Sequence, residues 1–375
     1  MTAAVRVIVA PDKFKGTLTG REAAEAMSAG VREVLPDAVI GRVPLADGGE
    51  GTILAVLAAG GTRHTCTVAG PLGDPVDAEF AVHDGVAVLE AAQACGLQLI
   101  EPTPQHALSA SSFGVGGLIR SAWEAGASQV VVGLGGVACT DGGTGMASAL
   151  GARFLDAASK PVRAGGGWLS EVVSVDLDGI DPRVGTTRFV AATDVTNPLL
   201  GPEGAAAVYA PQKGAGPDEV VALDRGLTTL ADVVERTRRN ASRAVPGAGA
   251  AGGLGWGLMT FLGAQVRPGC DLVMELTGLA DLVRGADLVL TGEGQLDSQS
   301  RYGKGPVALA ALAARHGVPT IAVAGAVDVD VASTGFAAVW SLVEQVGAES
   351  ALGDTAASLT AVTARAVREW SQRSA

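Results

Sequence analysis

Five times along this chain an aliphatic, β-branched run empties into a loop that carries an acid and one or more glycines. The loops are "APDKFKG" from residue 10, "LADGGEG" from 45, "VACTDGGTG" from 137, "AATDVTNPLLG" from 191 and "LVLTGEGQLD" from 288. Each run is short and mostly apolar, the pattern of a strand covered on both faces, and helical patterns lie between the runs. Strands alternating with helices predict an α/β fold with parallel sheets. Ligands of such sheets bind outside the carboxyl ends of the strands, where these loops begin.

Between the loops the punctuation is readable. Residues 5–10, "VRVIVA", read as a buried strand. Thr19 and Glu22 have the spacing of a capping box for a helix that runs to Leu35 and is stopped by Pro36. "AVIGRVPLAD" predicts a second strand and "GTILAVLAAGG" a helix; "TCTVAG", "DAEFAVH" and "VAVLE" predict short strands. "SSFGVGGLIRSAWEAG" opens a helix, "GMASALGARFLD" reads as another, and 216–244 as a long one. At 375 residues the chain exceeds one ordinary core. We expect two α/β domains. A Rossmann- or flavodoxin-like parallel-sheet domain is built from both termini, 1–65 plus 285–375. A second is inserted at 66–284, with the active site in the cleft between them.

Composition narrows the function. The net charge of −12 speaks against nucleic-acid binding, which needs a basic face. No apolar run reaches the ~18 residues of a membrane helix, and the N-terminus reads as a strand rather than a signal peptide. Cys66, Cys95, Cys139 and Cys270 are scattered without a paired motif, which fits a reducing cytoplasm and no disulfide framework. His64, His83, His106 and His316 show no metal-ligand spacing. Of 27 basic residues only five are lysines, and four of these (Lys13, Lys15, Lys213, Lys304) stand in or beside Gly-rich loops, where a compact cation suits a phosphoryl oxygen.

Glycine lets backbone N–H groups approach an anion, and helix N-termini add positive dipole ends. Acids in the same place would repel that anion unless a metal lies between them, and oxygen ligands completed by phosphate describe Mg²⁺. Glycine loops, acids and lone lysines together point to Mg²⁺-nucleotide chemistry, phosphoryl transfer above all, with one acid able to accept the proton of an attacking hydroxyl. There is no P-loop motif. "GAGAAG" at 247 matches a dinucleotide fingerprint but follows no strand; "GLGGVA" at 133 does follow one, so a nicotinamide-dependent hydroxy-acid dehydrogenase stays open on the residues alone. A non-catalytic sugar-acid or nucleotide-binding regulator is a third reading, disfavoured by the surplus of acids and lysines.

Six segments taken in order, "PDKFKGTLT", "PLADGGEGT", "GLGGVACTDGGTGM", "DVTNPLLGPEGAAAVYAPQKGA", "PGAGAAGGLG" and "TGEGQLDSQSRYGKGP", resemble the bacterial glycerate kinase family of the class that makes 2-phosphoglycerate. The resemblance implies a two-domain α/β enzyme that phosphorylates D-glycerate from ATP with Mg²⁺. Phosphorylation of the 3-hydroxyl, or of a related small hydroxy acid, is the alternative within that chemistry. Carried over by position, Asp194 is the expected general base, with Lys15 and Asp47 completing the catalytic set. Asp12, Lys13, Gly48, Glu50, Gly142, Gly143, Asn197, Ser298 and Lys304 are expected to bind substrate or phosphate. Glu293, Asp297 and Asp141 are expected to serve the metal; for Asp141, holding its own loop's N–H groups is an equal reading. The chain departs from the family with Lys13 for a usual Ser, Val137 for a small Ser and Gln295 for a frequent Arg, for which Lys13 or Arg301 would compensate.

Overall fold

The computed structural model describes residues 4–14, 16–46, 48–236, 243–297, 305–328 and 334–374. Eleven strands form two main sheets: β1 (Arg6–Val9), β2 (Val39–Arg42), β3 (Thr62–Ala69), β4 (Pro75–His83), β5 (Val86–Glu90), β6 (Gln129–Gly133), β7 (Arg188–Ala192), β8 (Gln265–Arg267), β9 (Leu288–Thr291), β10 (Thr320–Ala324) and β11 (Ala338–Ser341). The helices that matter below are α1 (Gly20–Val34), α2 (Thr52–Ala58), α3 (Phe113–Glu124), α4 (Thr144–Ala149), α5 (Pro217–Glu235), α6 (Leu254–Leu262), α7 (Gly305–Arg315) and α8 (Thr355–Ser374). The chain divides into two compact units, 1–47 with 270–375, and 48–269.

The unit made from both termini holds a five-stranded sheet in the order β11-β10-β9-β1-β2, parallel throughout. Alternation along β1 sets its two faces. Val7 and Val9 join a core with Met27 and Val31 of α1 and Leu359 and Val362 of α8. Ile8 and Ala10 join another with Val289, Leu309 and Ala313. The Thr19–Glu22 capping box is present in both directions: the Glu22 N–H donates to Thr19 Oγ1 at 3.2 Å and the Thr19 N–H to Glu22 Oε2 at 2.8 Å. At Gly30 any Cβ would stand 2.4 Å from the Thr360 carbonyl oxygen, so α1 and α8 cross at backbone contact.

Residues 48–269 hold a six-stranded sheet ordered β8-β7-β6-β5-β4-β3. Its β3-β4-β5 edge is antiparallel and the rest parallel. Phe80, Leu89, Val130, Val132 and Ala191 pack with Leu118 and Ile119 of α3 and with Trp256 and Phe261 of α6 in one continuous core. α2 packs on β4 and β5 of this sheet, and the helix Gly269–Leu276 contributes Cys270 and Met274 to the core beneath β1. The compact units therefore divide at 47/48 and 269/270 rather than at the 65/66 and 284/285 expected from the sequence.

Two helices are shorter than the sequence suggests. The predicted "GMASALGARFLD" helix stops at Ala149, because Gly151 has φ +108° and the chain turns into a strand at Arg153–Leu155. The long helix expected over 216–244 is observed as α5, ending at Glu235; residues 237–242 are not among those described.

Candidate active site

In the six-stranded sheet Glu90, Gly133 and Ala192 end β5, β6 and β7 and lie side by side in register. The segment that follows Asp47 rests along this row. A Cβ on Gly133 would stand 1.8 Å from the Gly48 carbonyl oxygen, and one on Gly135 would stand 2.7 Å from the Gly49 Cα. Gly48, at φ +83°, has no room for a side chain either, since Ala192 lies 3.0 Å from its Cβ position. Beyond it Glu90 Oε1 accepts from the Gly51 N–H at 3.1 Å and the Ile53 N–H at 2.9 Å, tying the start of α2 to the end of β5. Burial pushes the Glu90 carboxyl above its ordinary pKa, against the pull of those two N–H groups. Glu50 itself is exposed.

Asp194 leaves β7 two residues past Ala192 and is half-buried. Its Oδ1 accepts from the Gly269 N–H at 3.1 Å, which fixes the orientation of the carboxylate. Asn197 is engaged in its own loop: Nδ2 donates to the Glu203 carbonyl at 2.8 Å and Oδ1 accepts from the Tyr209 hydroxyl at 2.7 Å.

The loop after β6 is built differently from its appearance in sequence. Asp141 is fully buried. Its Oδ2 accepts from the Ser112 N–H at 2.8 Å, the Ser112 hydroxyl at 2.9 Å and the Gly145 N–H at 3.2 Å; its Oδ1 accepts from the Gly143 N–H at 3.1 Å. One carboxylate thereby caps the N-termini of both α3 and α4. The Gly142 N–H donates to the Gly252 carbonyl at 3.1 Å. Both glycines are buried, and their Cβ positions fall 2.9 Å from Leu230 Cδ2 and 3.0 Å from the Gly257 Cα. What comes close to the backbone at Gly142 and Gly143 is the protein's own chain, α5 and α6, and their N–H groups are spent internally. Lys213, expected to meet a phosphoryl oxygen, is 1% exposed and donates to the Cys139 carbonyl at 2.5 Å.

In the five-stranded sheet the acid-bearing loops after β1 and β9 are neighbours. The Asp12 N–H donates to the Gly292 carbonyl at 2.8 Å, and Thr291 Oγ1 donates to the Ala10 carbonyl at 2.7 Å. Phe14, 2% exposed, anchors the first loop. Asp12 Oδ1 accepts from the Lys13 N–H at 2.7 Å, while Oδ2 lies 3.6 Å from the Cβ position of Gly305, the first residue of α7. The loop carrying Glu293 and Asp297 is stitched to 325–328 by the Gly325 N–H on the Glu293 carbonyl at 3.0 Å and the Asp328 N–H on the Leu296 carbonyl at 2.8 Å. Among the described residues no group of three His, Cys, Asp or Glu side chains is placed to hold a metal ion. Lys15, Asp47, Ser298, Arg301 and Lys304 lie outside the described residues.

Sequence reasoning missed Glu90 and Ser112 and misassigned Lys213. The signal for Glu90 was an acid closing the apolar run "VAVLE" with no polar neighbour to explain it. For Lys213 nothing local distinguished a buried lysine from a phosphate-binding one. The "GLGGVA" segment does not form a dinucleotide turn, because after β6 no helix begins until Thr144.

No helix among the described residues is long and apolar enough to cross a membrane. Over 350 residues the chain is 41% identical to the glycerate 2-kinase of Escherichia coli, covering 92% of each chain. It is 44% identical over 322 residues to the glycerate kinase of Halalkalibacterium halodurans, covering 85% of each. The crystal structure of a putative glycerate kinase 2 from Salmonella typhimurium LT2 superposes with a TM-score of 0.87 at 38% identity, over 99% of this chain and all of that one. The family model described as "Glycerate kinase family" matches residues 7–371, and the chain belongs to that family.

Proposed function

We propose that this protein transfers the γ-phosphoryl group of ATP to the 2-hydroxyl of D-glycerate. The observation that carries the reading is the seating of the Gly48–Gly51 loop on the row Glu90–Gly133–Ala192, with Asp194 two residues beyond. An acid of fixed orientation stands at the carboxyl edge of a parallel sheet, where such folds take small ligands. The 41% identity to a protein named glycerate 2-kinase supports the choice of hydroxyl.

Asp194 acts as general base. It accepts the proton of the glycerate hydroxyl as that oxygen bonds to the γ-phosphorus and the bridging oxygen leaves with ADP. Glu50 and Asp47 are the acids assigned to the acceptor. Asn197 shapes the 197–209 loop through the Glu203 and Tyr209 contacts rather than touching substrate. Asp12, Lys13 and Lys15 serve the phosphate side, with Ser298 and Lys304.

The donor set fits Mg²⁺. Asp12, Glu293 and Asp297 are hard oxygen groups on adjoining loops, and Mg²⁺ is commonly held by one or two carboxylates plus substrate phosphates. Glu293 and Asp297 would hold it, and it would neutralise charge on the β- and γ-phosphate oxygens. Asp141 does not join them: enclosed, with two helix N-termini on its oxygens, it organises the Thr140–Gly145 loop. The same enclosure removes Gly142 and Gly143 from the ligand-binding set.

The test is ADP release by the purified protein with Mg-ATP and D-glycerate. Glycerate-dependent ADP formation supports the reading, and no ADP above the glycerate-free rate contradicts it.

A further inference from the structure

The Lys213 amine has almost no access to solvent, in the short turn Pro211–Lys213, and burial lowers its pKa from the ordinary lysine value. It donates to the Cys139 carbonyl at 2.5 Å and to Thr140 Oγ1 at 3.3 Å, both inside the core. The groups that share its surroundings are the Asp141 carboxylate and the Cys139 and Cys95 thiols. Cys95 and burial hold the Cys139 thiol well above its ordinary pKa, which leaves Asp141 as the carboxyl group among these neighbours. Burying an ion costs several kcal/mol, and an apolar side chain of similar volume is often as good for stability. Packing alone therefore does not account for a lysine here.

The loop it grips runs from the ligand side of the sheet to the interior. At the front, Gly133 and Gly135 carry the Gly48–Gly51 segment. Behind them the Gly136 carbonyl accepts from the Leu97 N–H at 2.8 Å and the Ala138 N–H donates to the Cys95 carbonyl at 2.7 Å. Lys213 takes the next residues, Cys139 and Thr140, and Asp141 the ones after. Within this loop the Cys139 carbonyl and Thr140 hydroxyl are tied to a side chain from another part of the chain, the turn at 211–213.

We propose that Lys213 is a positioning residue for phosphoryl transfer: its amine fixes the Cys139–Thr140 bend, and through it the Gly133–Gly136 segment on which the acceptor-side Gly48–Gly51 loop rests. The inference deepens the kinase reading and depends on it for the word transfer, while the mechanical tie between Lys213 and residues 48–53 does not.

The experiment compares Lys213→Met, similar in length and uncharged, with Phe189→Leu. Phe189 is a buried residue at the opposite end of β7, packed edge-on against Trp123. Each purified variant is held at a temperature where circular dichroism shows it folded. Amide hydrogen exchange is followed in peptides covering 48–53 and 134–146, and kcat and KM for glycerate are measured. Lys213→Met is expected to lose protection in both peptides and to lose kcat/KM by roughly 10²-fold, the cost of about 1 Å of misplacement. Phe189→Leu is expected to lower the melting temperature with both peptides and both constants unchanged. Wild-type protection at 48–53 in folded Lys213→Met overturns the proposal. If Lys213→Met does not fold, Thr140→Val removes one acceptor of the amine and the same peptides decide: lost protection at 48–53 supports the proposal, and none overturns it. Hydrogen exchange needs no substrate, so a wild-type protein without glycerate-dependent turnover would sink the kinase reading while the tie is still decided by exchange.

Discussion

Gly133 and Gly48 meet at a distance no other residue pair could adopt, since a Cβ on Gly133 would stand 1.8 Å from the Gly48 carbonyl oxygen. This contact, in a register row with Glu90 and Ala192, places the Gly48–Gly51 segment at the carboxyl edge of the sheet. Gly133→Ala should push that segment away and lower kcat/KM by roughly 10²-fold. Gly30→Ala, where the new Cβ meets α8 instead, should cost about 1–3 kcal/mol of stability with kcat/KM of the folded protein unchanged. Steady-state kinetics and urea denaturation of the two variants check the contrast; equal losses of kcat/KM would refute it.

Asp194→Asn keeps the shape of the side chain, and its Oδ1 still accepts from Gly269. It removes the basicity on which the proposed proton transfer depends. Turnover should fall by roughly 10²–10⁴-fold with an unchanged melting curve. Turnover near that of the wild type in a folded variant would assign the base elsewhere.

Asp141 holds the N-termini of α3 and α4 and neighbours Lys213. Asp141→Ala should lower unfolding free energy by about 3–5 kcal/mol, because it leaves several buried N–H groups without their acceptor and Lys213 without a nearby carboxylate. Glu293→Gln should instead leave stability close to wild type and raise the Mg²⁺ concentration needed for half-maximal activity. Urea melts and Mg²⁺ titrations of the two variants separate these roles, and a Mg²⁺ shift confined to Asp141→Ala would reverse them.

Glu90 gives a pH signature. Burial raises its folded-state pKa above the ordinary value of 4.5. A carboxyl raised on folding binds its proton more tightly in the native state. Its stabilising contribution is therefore full below pH 4.5 and is lost as pH rises through the folded value. Glu90→Gln cannot titrate. The stability of the variant relative to wild type should rise with pH across that window, as read from paired thermal melts; a difference flat in pH would show that Glu90 is not raised.

The architecture was legible because it is written in short-range pattern. Aliphatic runs closed by Gly and acid marked β1, β6, β7 and β9, and Thr19 with Glu22 marked the start of α1. The loop positions of Asp194 and Asp12, shortly after β7 and β1, were legible for the same reason. What could not be read was which way a loop faces. "TDGGTG" has the composition of an anion cradle, yet Gly142 and Gly143 are open toward α5 and α6. Sequence spacing cannot tell a glycine that admits a ligand from one that admits a helix. Lys213 illustrates the same limit, because its burial depends on Cys139 and Thr140, more than 70 residues away in sequence. Glu90 likewise acts on Gly51 and Ile53, 39 and 37 residues away in sequence.

³¹P NMR of the product formed from the purified protein, Mg-ATP and D-glycerate identifies the hydroxyl that accepts the phosphoryl group. The expected resonance is that of 2-phosphoglycerate, growing with that of ADP. A 3-phosphoglycerate resonance, or no phosphorylated glycerate at all, would contradict the proposed transfer to the 2-hydroxyl.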